Sequence, residues 1–238
     1  LTILNEQYGL VTGDGIRRID LKSLNNVRIK NERLLCFYNS IIYNGKVLSN
    51  DTYKDESKVK YYDVNELIAA KEGEAPAVTE LDIIQKQKIN FVLAKDGNVY
   101  TLESADNGCN IVKIKNDFTL EKVFANFQPA KGPYHSSPTI GMVASETENI
   151  IYLVSTDGAI YKYILGDSDS LKAPFIAAES GVSITAPLQL NQQSGELYVT
   201  YTEELKDESK IVVYSKDGKV LHTVDCGESV PSQILFNN

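Results

Sequence analysis

One strand pattern recurs five times along this chain at nearly even spacing. Residues 159–165 (AIYKYIL) match 15–21 (GIRRIDL), 58–64 (KVKYYDV), 110–116 (NIVKIKN) and 210–216 (KIVVYSK). Their leading residues are Ile16, Val59, Ile111, Ile160 and Ile211, separated by 43, 52, 49 and 51 positions. The 27 residues after Ile211 and the 16 up to Ile16 together make one more repeat of that size. The pentapeptide KDESK also occurs twice, at 54–58 and 206–210, each time leading into the matched strand. A period of this length marks a repeat architecture in which each unit is one supersecondary element.

Each unit is read as four strands. Short runs of Val, Ile, Leu, Tyr and Thr are bounded by Asp-Gly, Asn-Gly and Ser-Gly pairs, the signature of hairpins. Before the matched strand come 8–13, 46–51, 99–104, 151–156 and 197–202. Before those come innermost strands at 34–41, 89–94, 138–144 and 187–192, with 232–238 (SQILFNN) supplying the one missing from the first unit. Outer strands fall at 25–30, 77–84, 120–127, 173–178 and 220–225. SSP, TAP and SVP lead into three innermost strands, where a proline N–H is not needed for a ladder. Only 64–71 (VNELIAAK) and 23–26 read as helical.

A four-stranded sheet cannot bury both faces alone, but sheets arranged radially cover one another. The expectation is therefore an all-β chain forming one five-bladed β-propeller domain over 1–238. Its four-stranded antiparallel blades lie near 232–238 plus 1–31, 32–84, 85–127, 134–178 and 183–226. The C-terminal strand would complete the N-terminal blade and close the ring, removing exposed edges.

The segments SSPTI (136–140) and IIYLVSTDGAIYKY (150–163) carry a resemblance that can be named. Ser-Pro, a strand, then Asp-Gly before a hydrophobic-Tyr strand resembles the repeat of quinoprotein-like propellers (PQQ-type repeats). KDGNVYTL (95–102) echoes it one hairpin earlier in its unit. The chain departs from that family in having no Trp and fewer blades than the enzymes that carry the quinone. The resemblance thus implies the fold of a non-enzymatic scaffold member and implies no cofactor. Trp-Asp and Gly-Gly signatures of other propeller families are absent.

In such a ring, loops between second and third strands share a rim with the loops joining successive blades. The long loops fall in these two classes, and rim loops on a rigid scaffold are where binding concentrates. The loop 127–138 (FQPAKGPYHSSP) offers Lys131, Tyr134, His135, Ser136 and Ser137 as ligand-binding candidates, with Asp106 on a neighbouring tip. The competing reading is a Pro-Gly-shaped turn with Tyr134 packed down. Ser136 beside His135 is not a dyad, and no GxSxG elbow is present. Five-bladed glycosidases, by analogy, carry their carboxylates on innermost strands; here those strands hold no Asp or Glu. The rim acids lack DxDxDG spacing for calcium.

The net charge of −8 disfavours nucleic acid and anionic membranes, and no apolar run is long enough to span a bilayer. Cys36, Cys109 and Cys226 form no CxxC pair, and two His are too few for a His-based metal site. No catalytic residue and no metal is assigned. The leading expectation is a binding or scaffold propeller holding a protein partner or an extended ligand. The first alternative is a lectin-like glycan binder, for which fourteen Tyr offer stacking platforms, though the rim loops do not repeat their residues. The second is a glycoside hydrolase. The start at Leu1 reads as a mature or excised domain, and the address as extracytoplasmic, with cytoplasmic as runner-up. A glycosylation sequon at Asn50-Asp51-Thr52 adds little, since one match arises by chance in a chain this long.

Overall fold

The computed structural model describes residues 1–12, 16–30, 40–50, 57–74, 76–85, 90–130, 141–203, 208–231 and 234–236. Among them, one turn recurs with the same hydrogen bonds, at 94–98, 115–119, 155–159 and 215–219. In each, the first residue's N–H reaches the fifth carbonyl, and the fourth N–H returns to the first carbonyl, all at 2.8–3.0 Å. The third residue is always Asp: Asp96, Asp117, Asp157 and Asp217. The fourth is left-handed: Gly97, Phe118, Gly158 and Gly218 lie at φ of 75°, 63°, 83° and 77°. This is the three-residue hairpin loop with a left-handed final residue, whose twist matches that of the strands it joins. Among the described residues, the Asp-Gly pairs at 96–97, 157–158 and 217–218 are therefore real hairpin tips.

The turns join strands into five antiparallel sheets that follow one another in chain order. Sheet 1 holds β1 (Thr2–Ile3), β2 (Tyr8–Thr12), β3 (Ile16–Asp20) and β4 (Asn26–Lys30). Sheet 2 holds β5 (Ile41–Tyr43), β6 (Lys46–Ser49), β7 (Ser57–Asp63) and, after helix α1 (Val64–Ala69), β8 (Val78–Gln85). Sheet 3 holds β9 (Val92–Leu93), β10 (Val99–Ala105), β11 (Gly108–Ile114) and β12 (Leu120–Phe127). Sheet 4 holds β13 (Met142–Ala144), β14 (Ile150–Val154) and β15 (Ile160–Ile164), followed by a 3-10 turn at Ser168–Leu171. Sheet 5 holds β16 (Val182–Ile184), β17 (Gln189–Leu190), β18 (Leu197–Glu203), β19 (Ser209–Tyr214) and β20 (Val220–Gly227).

Several expected elements differ. The innermost strand of sheet 2 is 41–43, paired with β6 across the Asn44-Gly45 tip. Of the strand expected at 34–41, residues 34–39 lie outside the described residues. The segment 23–26 is a turn leading into β4: Asp20 Oδ1 accepts the N–H groups of Lys22 and Ser23, and Leu24 sits at φ 59°. Helix α1 forms as expected, capped by Asp63, whose side chain accepts the Asn65 and Glu66 N–H groups. The outer strand expected at 173–178 is reduced to a single bridge, Ile160 with Ile176, beside Pro174, which has no N–H to give. The inner edge of sheet 5 is broken in two around Pro187, with β16 and β17 both pairing β18.

Among the described residues, the hydrophobic core forms four separate layers, one between each consecutive pair of sheets. Leu10, Ile16 and Ile29 meet Val47, Tyr62 and Leu67 between sheets 1 and 2. Leu48, Val59 and Ile83 meet Val99, Val112 and Ile114 between sheets 2 and 3. Tyr100, Leu102 and Ile111 meet Ile151, Leu153 and Tyr163 between sheets 3 and 4. Tyr152, Val154 and Ile160 meet Leu197, Val199 and Tyr214 between sheets 4 and 5. Each fully buried side chain of this size is worth roughly 1.5–3 kcal/mol, so the layers carry the fold.

Polar clasps fix how adjacent sheets register. Arg18 donates to the carbonyls of Ile68 and Ala70 at the end of α1. Tyr43 and Asn44 reach Gly97 O and Asn116 O at 3.1 and 2.7 Å. Asn90 both donates to and accepts from the Met142 backbone at 2.7 and 3.1 Å. Gln192 does the same with Ala144 O and Glu146 N at 3.0 and 2.8 Å.

Among the described residues, the chain ends do not knit together as expected. The place beside β2 that was assigned to 232–238 is taken by β1, with Thr2 opposite Leu10 and Ile3 opposite Gly9. The Asn5 side chain accepts the Gln7 and Tyr8 N–H groups at 2.9 and 2.8 Å, making a tight turn out of residues 4–8. A four-residue loop costs far less entropy to close than one of chain length, so the local hairpin wins. Residues 234–236 are not strand; they lie on sheet 5, while Ser232, Gln233, Asn237 and Asn238 fall outside the described residues. Among the described residues, no core layer joins sheet 5 to sheet 1.

Candidate functional site

At one edge of the junction of sheets 3 and 4, three pieces of chain converge. They are the β10–β11 tip at 105–108, the linker 128–130 that leaves β12, and the β14–β15 turn at 155–159. Gln128 Nε2 donates to Asn107 O at 2.7 Å. Gln128 O accepts the Thr156 N–H at 2.9 Å, and Ala130 N–H reaches Val154 O at 2.8 Å. Pro129 forms a bridge with Ser155. A second-to-third-strand loop and an interblade linker thus share one rim. Gly108, at φ 116°, permits the close approach, because a Cβ there would lie 2.5 Å from Phe127 O.

The rim encloses a cleft of about 280 Å³. Its apolar walls are Phe124, Phe127, Tyr161 and Leu171, and its polar side is Asn126, Gln128, Thr156 and Asp157. The rings of Phe127 and Tyr161 meet edge to face at 5.7 Å. A β-bulge delivers Asn126: Phe127 pairs with Cys109 and Phe124 with Ile111, so two residues oppose one. Asn126 sits at φ 61°, a backbone state Asn tolerates better than most residues, and bulges of this kind re-aim side chains. Asp157 Oδ1 accepts from Ser155 Oγ and from the Ala159 N–H. These bonds, the Ser155 hydroxyl first, hold its carboxyl below the usual carboxylate range against a small opposing effect of burial. The cleft therefore carries one fixed negative charge beside amide and hydroxyl groups and aromatic edges, and none of the residues just named is cationic.

Of the residues singled out from sequence, Asp106 is exposed at the β10–β11 tip, next to Asn107, and does not line the cleft. Lys131, Tyr134, His135, Ser136 and Ser137 lie outside the described residues, in the stretch that continues from Ala130. The sequence reading missed Asn126, Asp157 and Tyr161. STDGAIYKY was visible as a turn and strand, but nothing local announced that this turn would face a bulge thirty residues earlier. The described innermost strands β1, β5, β9, β13, β16 and β17 carry no Asp or Glu. Among the described residues, no group of three His, Cys, Asp or Glu is placed to hold a metal ion, and no helix is long and apolar enough to cross a membrane.

Five consecutive antiparallel sheets, stacked through layered cores with loops converging on one rim, define an all-β protein of propeller-like architecture. Residues 1–237 match the family described as a domain of unknown function, DUF5074, and the chain belongs to that family. No curated protein sequence matches the chain. Among solved structures, it is similar to TolB from Acinetobacter baumannii (TM-score 0.56, 11% identity), covering 95% of this chain and 54% of that one. It is similar to a puromycin hydrolase (TM-score 0.57, 13% identity), covering 93% of this chain and 35% of the other. A protein from Lactobacillus plantarum gives a TM-score of 0.53 at 14% identity, with 93% and 69% covered. The chain spans about half the length of the TolB chain. At these identities the likeness is one of fold: the neighbours are propeller-like.

Proposed function

We propose that this domain is a non-enzymatic binding or scaffold propeller that presents its loop-rich rim to a protein partner or an extended ligand. Its five sheets are the five blades, near 1–31, 32–84, 85–127, 134–178 and 183–226, without the contribution of 232–238 to the first blade. The observation that carries the reading is the convergence of tip 105–108, linker 128–130 and turn 155–159 around the cleft. The proposal keeps Lys131, Tyr134, His135, Ser136 and Ser137, which follow Ala130 in sequence and lie outside the described residues, as candidate ligand-binding residues, and Asp106 marks the margin of the described rim. The resemblance to quinoprotein-like propellers supports a scaffold without the quinone and an extracytoplasmic address, where such propellers are common.

The test is site-specific photo-crosslinking in an extract of the source cells. Photoreactive side chains at Asp106 and Thr156 are compared with one at Lys95, in the 94–98 turn of a first hairpin, which is not part of that rim. Defined adducts from the first two positions and none from Lys95 support the reading. Equal labelling from all three removes it. Saturable binding to a glycan array, lost on mutating the rim, would shift the ligand from protein to carbohydrate.

A further inference from the structure

We infer that the cleft between sheets 3 and 4 takes the alkylammonium group of a lysine side chain presented by a protein partner. This deepens the rim-binding reading and rests on it. The chemistry follows from what lines the cleft. An ammonium has three N–H donors and no acceptor. Asp157 supplies an anionic acceptor, while the Asn126 amide and Thr156 hydroxyl supply neutral ones within the same small space. The carboxylate stays ionised because its Oδ1 is already held by the Ser155 hydroxyl and the Ala159 N–H. Among the described residues, no Lys, Arg or His lines the cleft to compete for that charge or to attract an anion. The remaining walls, Phe124, Phe127, Tyr161 and Leu171, suit the methylene stem, which long cationic side chains bury along apolar surface. Aromatic rings beside the charge add attraction for a cation and none for an anion. The volume of about 280 Å³ lies just below the range of drug-sized ligand pockets, room for one side chain with accompanying water rather than for an extended polymer.

Two features show that the acceptors are held ready. The bulge in β12 fixes the backbone from which Asn126 projects, and the turn it closes holds the Asp157 carboxylate, so the charged acceptor need not be ordered on binding. Pre-organisation of this kind is what allows a single side chain to contribute measurably.

The test uses the intact 238-residue chain and amide chemical-shift titration with Nα-acetyl-lysine methylamide. The expected result is shifts confined to 124–128 and 155–161, weakened by added salt. The uncharged Nα-acetyl-norleucine methylamide, which keeps the stem, should bind at least about tenfold more weakly, as loss of a charged hydrogen bond implies. Asp157→Asn should lose about tenfold for the lysine probe while keeping the turn, because the amide oxygen still accepts the Ala159 N–H. Should that variant fail to fold, Asn126→Asp provides the converse, adding a second charge and tightening the same probe severalfold. Equal binding of the two probes, or lysine binding that neither variant moves, overturns the inference. So does saturation by N-acetylglucosamine with no lysine shifts, which would assign the cleft to a saccharide. n-Butylamine binding more tightly than the lysine probe would assign it to a free amine and equally overturn the protein-borne reading. Failure here with successful rim crosslinking would leave the binding role standing and remove only the lysine assignment.

Discussion

At the scale of single residues, the Asp of the recurring turn does more than shape a hairpin, and Asp96 shows this best. Its Oδ1 accepts the Asn98 N–H at 3.1 Å, while Oδ2 meets Tyr100 OH at 2.8 Å and Lys113 Nζ at 2.8 Å. Burial pushes this carboxyl up, but the Lys113 ammonium, the Tyr100 hydroxyl and the Asn98 groups together pull it further down, and the net result lies below the ordinary value. Burial, with Asp96 adding to it, drives the Tyr100 hydroxyl strongly upward, so it stays protonated and donating. A depressed carboxyl contributes stability that is fully present above its unfolded value near 4 and is lost as pH falls through the lower folded value. Asp96→Asn should therefore lower the urea midpoint at pH 7, and the gap to the parent protein should close as both are taken towards pH 2. A gap that persists unchanged at pH 2 would place the effect in packing rather than in charge.

At the scale of the element, the turn series shows what the sequence disclosed and what it hid. Asp-Gly at 96–97, 157–158 and 217–218 was legible because only glycine enters the left-handed state without strain. The copy at 115–119 was not, because Phe118 stands at the glycine position. Its ring lies 4.6 Å from that of Tyr61 and 5.8 Å from that of Tyr43, across the boundary of sheets 2 and 3. Packing thus overrides a backbone cost of about 1–2 kcal/mol. Two substitutions separate these effects. Gly158→Ala should cost about 1–2 kcal/mol from backbone strain alone, since a Cβ there meets only Ala178, at an ordinary 3.9 Å. Phe118→Gly relieves the strain yet removes a half-buried aromatic anchor, whose loss costs less than the roughly 3–5 kcal/mol of a core Phe, so it should still destabilise, by about 1 kcal/mol net. Chemical denaturation of both variants checks the pair, and a stabilised Phe118→Gly would show that strain, not stacking, dominates. The inner strands were the least legible elements. They are two or three residues long, and Pro187 cuts an inner ladder that the alternating pattern alone would have continued.

At the scale of the molecule, the order of five sheets was readable because each repeat brings its own hairpins, and these depend on nearby residues. Closure was not readable, because it depends on which of two distant segments covers a given edge or face. Of the proposed site, the sequence offered a rim but not its lining: Asn126 and Asp157 come to one cleft only through a bulge and a sheet junction that no local pattern announces. The far face of sheet 5 shows the competition directly. Tyr198 and Thr200 of β18 point away from the layer shared with sheet 4. The C-terminal segment covers them: Phe236 meets Tyr198 at 5.0 Å, Thr200 Oγ1 donates to Pro231 O at 3.4 Å, and Ile234 N–H donates to Gln189 Oε1 at 2.6 Å. In this arrangement the tail protects the last sheet from solvent. Deleting 231–238 should then cost roughly 2–4 kcal/mol, the sum of two half-buried apolar side chains and two hydrogen bonds. Amide exchange should rise in 189–202 while sheets 1 to 3 keep their protection, since each sheet leans chiefly on its neighbours. If sheet 1 instead covers this face in solution and closes the ring, the same deletion leaves the exchange of 189–202 unchanged. The pattern of protection across the five sheets therefore distinguishes a stack ended by its own tail from a closed wheel.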